Sequence, residues 1–197
     1  MKNRKIIVIG NDLDLIDQMN LIDLNIGVID KKKIDESYYL GEDKKFLNDN
    51  FKNSKFIISL DNPLKKKNIF KKFYENRDFF NFFAKSSYIS KKSKFGIGNI
   101  FQQNVKIMTN VNIGDHCKFN IDSTIHHDCR IGSFNTFAPG VRLLGNVNVG
   151  NNVFIGAGST ILPNLQIEDN VIIGAGSLVT KNVKKNKKIF GVPANEK

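Results

Sequence analysis

Hydrophobic positions in the second half of the chain recur every six residues. Stepping by six from Ile89 gives Phe95, Phe101, Ile107, Ile113, Phe119, Ile125, Ile131, Phe137, Leu143, Val149, Ile155, Ile161, Ile167, Ile173 and Val179, all large and apolar. In a chain with 41% apolar residues, chance yields such a run about once in a million trials. The slot after the anchor is glycine at Gly96, Gly114, Gly132, Gly150, Gly156 and Gly174, which reads as a turn exploiting glycine's backbone freedom. The fifth slot is small or β-branched in nearly every unit, as at Val105, Cys117, Ser123 and Val153. A helix repeats in 3.6 and a strand in two. A six-residue unit with one inward anchor, a turn and a second small inward residue therefore predicts one side of a triangular β-solenoid. Three units close a coil of ~18 residues, and stacking at the ~4.8 Å strand spacing gives about five coils and a prism ~25 Å tall.

The first half follows a different pattern. Lys5–Gly10, Gly27–Asp30 and Phe56–Leu60 read as buried strands, and Asp12–Asn20 as a short helix. Pro63 opens a second helix with Leu64, Phe70, Phe73 and Tyr74 on one face. The order β-α-β-β-α predicts a small parallel sheet, with the boundary to the solenoid near Tyr88. Phe79, Phe80, Phe82 and Phe83 are expected in the core.

Composition narrows the class. The net charge is +11, carried by 26 lysines against four arginines. Two readings stand: a surface for an anionic ligand, or a compositional bias that also enriches Asn and Ile. Base readout draws on arginine, so no nucleic-acid partner is expected. No apolar run approaches the ~20 residues of a membrane span. The apolar stretch Ile6–Gly10 is too short for a signal peptide, so a cytoplasmic, membrane-free location is expected. Cys117 and Cys129 fall on inward slots and read as inert core thiols. The histidines are His116, His126 and His127. Adjacent imidazoles rarely reach one ion, so no metal site is expected and a zinc enzyme is disfavoured. His127 sits in the largely outward third slot beside Asp128. A carboxylate next to an imidazole is suited to general-base chemistry.

The segment Ile125-His126-His127-Asp128-Cys129-Arg130-Ile131-Gly132 resembles the His-acid-Cys-x-Ile-Gly stretch of the sialic-acid O-acetyltransferase and bacillosamine N-acetyltransferase family. Gly145-Asn146-Val147, Phe154–Gly158, Ile173–Gly176 and Gly191–Ala194 follow that family in order. The resemblance implies an α/β N-terminal subdomain that binds the acceptor (1–88). It also implies a left-handed parallel β-helix that binds acetyl-CoA and carries a C-terminal extension (89–197). The handedness comes from the resemblance alone. His127 is implied as general base, oriented by Asp128, with the acceptor attacking the thioester directly. Coenzyme contacts are implied at Thr136 (where the family usually has histidine), Ala157, Ala175 and Lys181, in a groove between prisms of a homotrimer. Lys184, Lys185, Lys187 and Lys188 read either as partners of the coenzyme's 3′-phosphate or as a solvated basic tail. Acceptor contacts are implied at Gly10, Asn11, Asp12, Asp30, Asp61 and Asn62. The loop Gly10–Asp14 keeps only the first of the family's glycines, and Asp12 and Asp14 are expected to oppose a diphosphate. The expected function is acetyl-CoA-dependent acetylation of an amino sugar, nucleotide-linked or otherwise activated, in surface-glycan synthesis. Sugar O-acetylation and a non-catalytic sugar-binding β-helix are the alternatives.

Overall fold

The computed structural model describes residues 5–22, 24–31, 39–41, 51 and 53–196; the side chain of Phe73, expected on a helix face, lies outside the described set. Four strands, β1 (Ile6–Ile9), β2 (Ile26–Ile29), β3 (Tyr39–Gly41) and β4 (Lys55–Ile58), form a parallel sheet in the order β3-β2-β1-β4. β1 lies at the centre, and its run of Ile and Val is buried on both faces, as a covered parallel strand requires. β3 is absent from the sequence reading because three residues are too few to display a period. Helix α1 (Leu13–Asn20) starts at Asp12, whose carboxylate accepts from Leu15 N at 3.1 Å, and it buries Leu15, Ile16 and Met19. Helix α2 (Pro63–Ile69) is capped by Asn62, which accepts from Lys65 N at 2.9 Å, and runs on into a π-helical turn at Phe70–Tyr74.

From Phe82 onward the chain winds through three parallel sheets in strict rotation. The first face carries Phe82–Phe83, Ile100–Phe101, Lys118–Phe119, Thr136–Phe137, Phe154–Ile155 and Ile172–Ile173. The second runs from Tyr88–Ile89 to Leu178–Val179, and the third from Lys94–Phe95 to Gln166–Ile167. Each strand inside a face pairs with its counterparts one coil before and one coil after, as in Lys118↔Ile100 and Lys118↔Thr136. The anchors and the fifth-slot residues fill the interior. On the first face, Phe83, Phe101, Phe119 and Phe137 stack with centroid spacings of 4.9, 5.1 and 4.6 Å, matching the strand separation. Phe79 and Phe82 are buried, while Phe83 at the first coil is 37% exposed. Cys117 and Cys129 are buried free thiols, each pushed up to about 11 by burial.

The turn chemistry corrects the sequence reading. Residues in the left-handed region occupy the fourth slot: Asn104, Asn110, His116, Asp122, Asp128, Phe134, Asn146, Asn152, Asn164 and Asn170 have φ between +55° and +63°. Asn and Asp tolerate this conformation best among residues with a side chain. The second-slot glycines serve space instead. A Cβ on Gly132 would lie 2.7 Å from Gly150 O, and one on Gly156 would lie 2.4 Å from Ala175 N.

Glycine takes the left-handed fourth slot at Gly98, Gly140, Gly158 and Gly176; among the residues with a side chain there, two are neither Asn nor Asp, and both lie beneath the front domain. His116 (φ +55°) and Phe134 (φ +63°) stack on each other at 5.0 Å. Phe70 and Phe79 cover His116 at 4.5 and 4.6 Å. This aromatic packing offsets the backbone strain, which costs on the order of 1 kcal/mol or more per residue. Two buried lysines complete the junction. Lys66 of α2 is 0% exposed and donates to His116 O, Asn135 O and Thr136 Oγ1 at 3.0, 3.3 and 3.2 Å. Burial lowers its pKa to about 8. Lys118 reaches the other way from the first face, to Ser59 O at 3.1 Å and to Asp12 and Asp61, each at 2.7 Å. Burial pulls this ammonium down, but the two carboxylates more than offset it and hold its pKa above the usual value.

His116 gives the junction a pH dependence. Burial pushes the imidazole from 6.5 down to about 4, with Asp115 opposing and Lys66 assisting the fall. The unfolded chain binds more protons than the native one between those values, so stability drops as pH falls from about 6.5 to about 4. Lys66 is protonated in both states across this window and adds no slope. The expected loss is on the order of 3 kcal/mol. Urea unfolding across pH 4–6.5 should give a steeper decline for the native sequence than for His116→Asn; equal slopes would refute the assignment.

Candidate active site

His127 stands on the corner where the chain passes from the second face to the third. Its anchor Ile125 is buried in the core, and the backbone is held by the neighbouring coils. His126 N donates to Leu143 O at 2.9 Å, Asp128 N to Thr109 O at 3.1 Å, and Asn146 N to His127 O at 2.9 Å. The imidazole is 58% exposed, and its Nδ1 lies 2.8 Å from Asp128 Oδ2. An ionised carboxylate only accepts, so Nδ1 carries a proton, and in the neutral ring Nε2 presents the lone pair. Asp128 Oδ1 accepts from Asn110 Nδ2 at 3.2 Å. The hydrogen bonds from His127 and then Asn110 hold the Asp128 carboxyl below its usual range. The arrangement is an oriented, solvent-accessible base. His126 is half-buried on the same corner. His116 lies on a different corner, so the three imidazoles do not converge. Among the described residues no three His, Cys, Asp or Glu side chains are grouped as metal ligands.

A second concave region lies where the carboxyl ends of β1, β2 and β4 meet the prism. This cleft of about 680 Å³ is lined by Gly10, Asn11, Asp12, Asp14, Asp30, Asp61 and Lys118, together with Asn120, Ala138, Pro139 and Phe154. Crevices at the carboxyl ends of parallel strands, where strand order reverses, are the usual ligand sites of such sheets. Here the reversal falls between β1 and β4. An adjoining cavity of about 380 Å³ shares Gly10, Asp30 and Leu60 and adds apolar Ile9, Ile29 and Ile69 with Lys31, Lys65 and Asn68. Gly10 has φ +99°, and a Cβ there would lie 2.9 Å from Leu60 Cδ2. Asn11 N donates to Asp30 Oδ2 at 2.9 Å.

The structure thus brings together five of the six residues expected at the acceptor. Asn62 lies beside them as the cap of α2 and lines neither cavity. The expected opposition of Asp12 to a diphosphate is corrected, because the Asp12 carboxylate is ion-paired with Lys118 and caps α1. Asp14 remains exposed. Thr136 is also corrected as a coenzyme contact. It is 0% exposed beneath the front domain, with its hydroxyl taken by Lys66. Ala157 and Ala175 are exposed on the corner between the first and second faces, adjacent to the Pro139 edge of the cleft, and Lys181 is exposed above His127 on the other corner. Of the basic tail, Lys184 pairs with Glu168 at 3.0 Å and Lys187 with Glu196 at 2.6 Å. From the sequence, Lys65–Lys67 reads as a solvated helix face; this is corrected at Lys66, which is fully buried, and Lys118 carries no expectation. The sequence reading also passed over a shallow groove of about 740 Å³ along the third face, lined by Asn112, Arg130, Asn148, Gln166 and Lys185 among others. Among the described residues no helix is long and apolar enough to cross a membrane.

A family model described as bacterial transferase hexapeptide (six repeats) matches residues 146–181. A sequence search of curated proteins finds no match. Three solved structures superpose over nearly the whole chain. A mutant perosamine N-acetyltransferase from Caulobacter crescentus, in complex with CoA and GDP-perosamine, has a TM-score of 0.91 at 21% identity and covers 100% of this chain and 98% of that one. The acetyltransferase domain of PglB from Neisseria gonorrhoeae, in complex with acetyl coenzyme A, has a TM-score of 0.91 at 19% identity and covers 98% and 99%. WeeI from Acinetobacter baumannii has a TM-score of 0.88 at 23% identity and covers 98% and 100%. With the three-faced coils described above, these likenesses establish the architecture: a small parallel α/β domain seated on a left-handed parallel β-helix.

Proposed function

We propose that this chain is an acetyl-CoA-dependent acetyltransferase that acetylates the amine of a nucleotide-linked amino sugar, in the manner of surface-glycan synthesis. The observation that carries this reading is the His127–Asp128 pair: Nδ1 bound to a carboxylate and Nε2 left as a base, on an open corner of the prism. Support comes from solved structures of the same fold, among them perosamine N-acetyltransferase from Caulobacter crescentus in complex with CoA and GDP-perosamine.

The cleft and its adjoining cavity suit the two ends of a sugar nucleotide. The apolar cavity walled by Ile9, Ile29 and Ile69 matches a base, with Lys31 and Lys65 at its rim. Asp30 stands at the end of β2, where an acid meets a ribose hydroxyl in related sheets. The sugar would extend over Asp61 and Asn120 toward the prism. Acetyl-CoA supplies the activated acyl group. Ala157 and Ala175 would admit its pantetheine arm, since they are small, exposed and each followed by a glycine, Gly158 and Gly176, and Lys181 would face its phosphates. His127 Nε2 takes the proton released as the acceptor nitrogen forms its new bond to the acyl carbon. The same imidazolium returns that proton to the departing thiolate. Asp128 holds the ring in the required tautomer throughout and stabilises its charged form.

His127 and the cleft lie on different corners of one chain, separated by the second face. A complete site therefore draws His127 and the acceptor cleft from different copies, and we read the protein as a homotrimer. With a chain mass of 22.3 kDa, light scattering should give about 67 kDa for a closed threefold ring. A monomer at micromolar concentration would remove the shared site.

His127→Ala should reduce turnover by ~10²–10⁴-fold, the usual contribution of a general base, while leaving the acetyl-CoA dissociation constant nearly unchanged. His126→Ala should be milder. The reverse order of severity would reassign the base. For the acceptor, excess nucleoside diphosphate (GDP and UDP tested separately) should compete with the sugar nucleotide in steady-state assays, because Lys118 already neutralises Asp12. Full activity under millimolar amounts of both would rule out a nucleotide-linked acceptor. A hydroxyl acceptor is the remaining alternative, and product mass together with hydroxylamine lability separates an ester from an amide.

A further inference from the structure

Gly145 is the only glycine among the sixteen third slots of the repeat, from Lys91 to Lys181. The other glycines of the prism mostly answer to the backbone. Gly98, Gly140, Gly158 and Gly176 have φ between +65° and +71°. A Cβ on Gly114, Gly132, Gly150 or Gly156 would come within 2.4–2.9 Å of main-chain atoms in the next coil. Gly145 has neither reason: its φ lies outside the left-handed region, and no main-chain atom is among the nearest neighbours of a Cβ built there. Those neighbours all belong to the His127 ring one coil before, with Cε1 and Nε2 at 2.7 Å and Nδ1 at 3.4 Å. The ring therefore lays its Cε1–Nε2 edge across bare backbone while its Nδ1 is held by Asp128.

We propose that Gly145 is a positioning residue for His127: its missing side chain is the space in which the imidazole lies while Nδ1 is held by Asp128. The ring is then set from three successive coils. Asn110 fixes the far oxygen of Asp128, Asp128 fixes Nδ1, and Gly145 leaves room for the opposite edge. A methyl at Gly145 meets the ring well inside contact distance. The main chain of that corner is tied by Asn146 N to His127 O and by Asn164 N to Gly145 O, whereas the imidazole is a 58% exposed side chain. The ring therefore yields rather than the coil, and in moving it gives up Asp128. The catalytic consequence rests on the proposed role of His127 as base; the placement of the ring does not.

The test uses Gly145→Ala in the full chain. Nitrogen-15 spectra of the imidazole, taken without substrates, should report the Nδ1–H form in the native protein and a shift toward mixed tautomers in the variant. Acetyl transfer should lose ~10- to 100-fold in kcat, in line with the cost of misplacing a catalytic group by about 1 Å, with KM for acetyl-CoA changed less than about twofold. Wild-type spectra or wild-type kcat in Gly145→Ala would overturn the proposal. A protein that transfers no acetyl group would sink the functional reading and leave the spectral result to decide this one. A double-mutant cycle guards against a merely structural glycine. Gly145→Ala should shift the unfolding midpoint of the native protein but not that of His127→Ala. An equal shift in both would mean that the glycine serves the backbone, and the proposal would fail.

Discussion

The closure of each coil after three six-residue units is the constraint on which everything else depends. Because prism strands pair in register with their counterparts in neighbouring coils, a slot in the sequence becomes a column in space. The anchors make the interior, where four phenylalanines stack at the strand spacing. The fourth slots make three columns of left-handed residues, and the third slots make the exposed edges. A one-residue insertion would move every later side chain to another column, so the repeat tolerates variation in kind but not in length. Asp128 illustrates the result. Its φ of +62° asks for Asn or Asp, and Asn110 and Asn146 meet the same demand in the flanking coils. The backbone alone would accept an amide at this position. A carboxylate adds what the backbone does not need, an acceptor that selects the tautomer of His127.

The prism was legible because its signal is redundant. Sixteen anchors carry one message, and the order of motifs within them carries the family likeness. The meaning of the glycines was less legible. A glycine placed beside a turn reads as backbone freedom, but in the second slot it answers to the next coil, a full turn of the prism away. That cause is invisible to any window shorter than a coil. The corresponding local signal lay two residues further on, in the run of Asn and Asp at the fourth slot. Glycine is the ordinary substitute in that run; His116 and Phe134 are the two left-handed residues that are neither Asn, Asp nor Gly, and they mark where the front domain sits.

Lys66 and Lys118 were not legible as struts because lysine in a basic chain is ordinarily a solvated residue. A trace of the answer is nonetheless present in the outward sixth slots taken one coil apart. On the third face these are Lys94, Asn112, Arg130, Asn148 and Gln166, all polar. On the first face they are Ile100, Lys118, Thr136, Phe154 and Ile172. Ile100 and Thr136, the outward neighbours of Lys118 one coil away on either side, are both 0% exposed, so the front domain covers that stretch of the face and the lysine with it. Burial of an ammonium is tolerated only when its protons are taken. Both lysines meet the condition with three acceptors each, and in doing so they weld the two halves of the chain.

That weld changes what the acids of the front loop mean. Read alone, Gly10-Asn11-Asp12-Leu13-Asp14 is an anion-repelling version of a phosphate loop. In the structure the charge of Asp12 belongs to an ion pair whose cation, Lys118, comes from the prism in the other half of the chain. The loop's shape is therefore set by the other domain, and the cleft exists only because the two domains are held in register. The same logic extends outward. Within one chain the β-helix places the oriented imidazole and the acceptor cleft on different edges, a separation fixed by the rotation of three faces per coil. No side-chain motion crosses an entire face of the prism. In the proposed homotrimer a threefold axis would turn this obstacle into a site, because it is the operation that brings one edge of a triangular prism against a different edge of its neighbour.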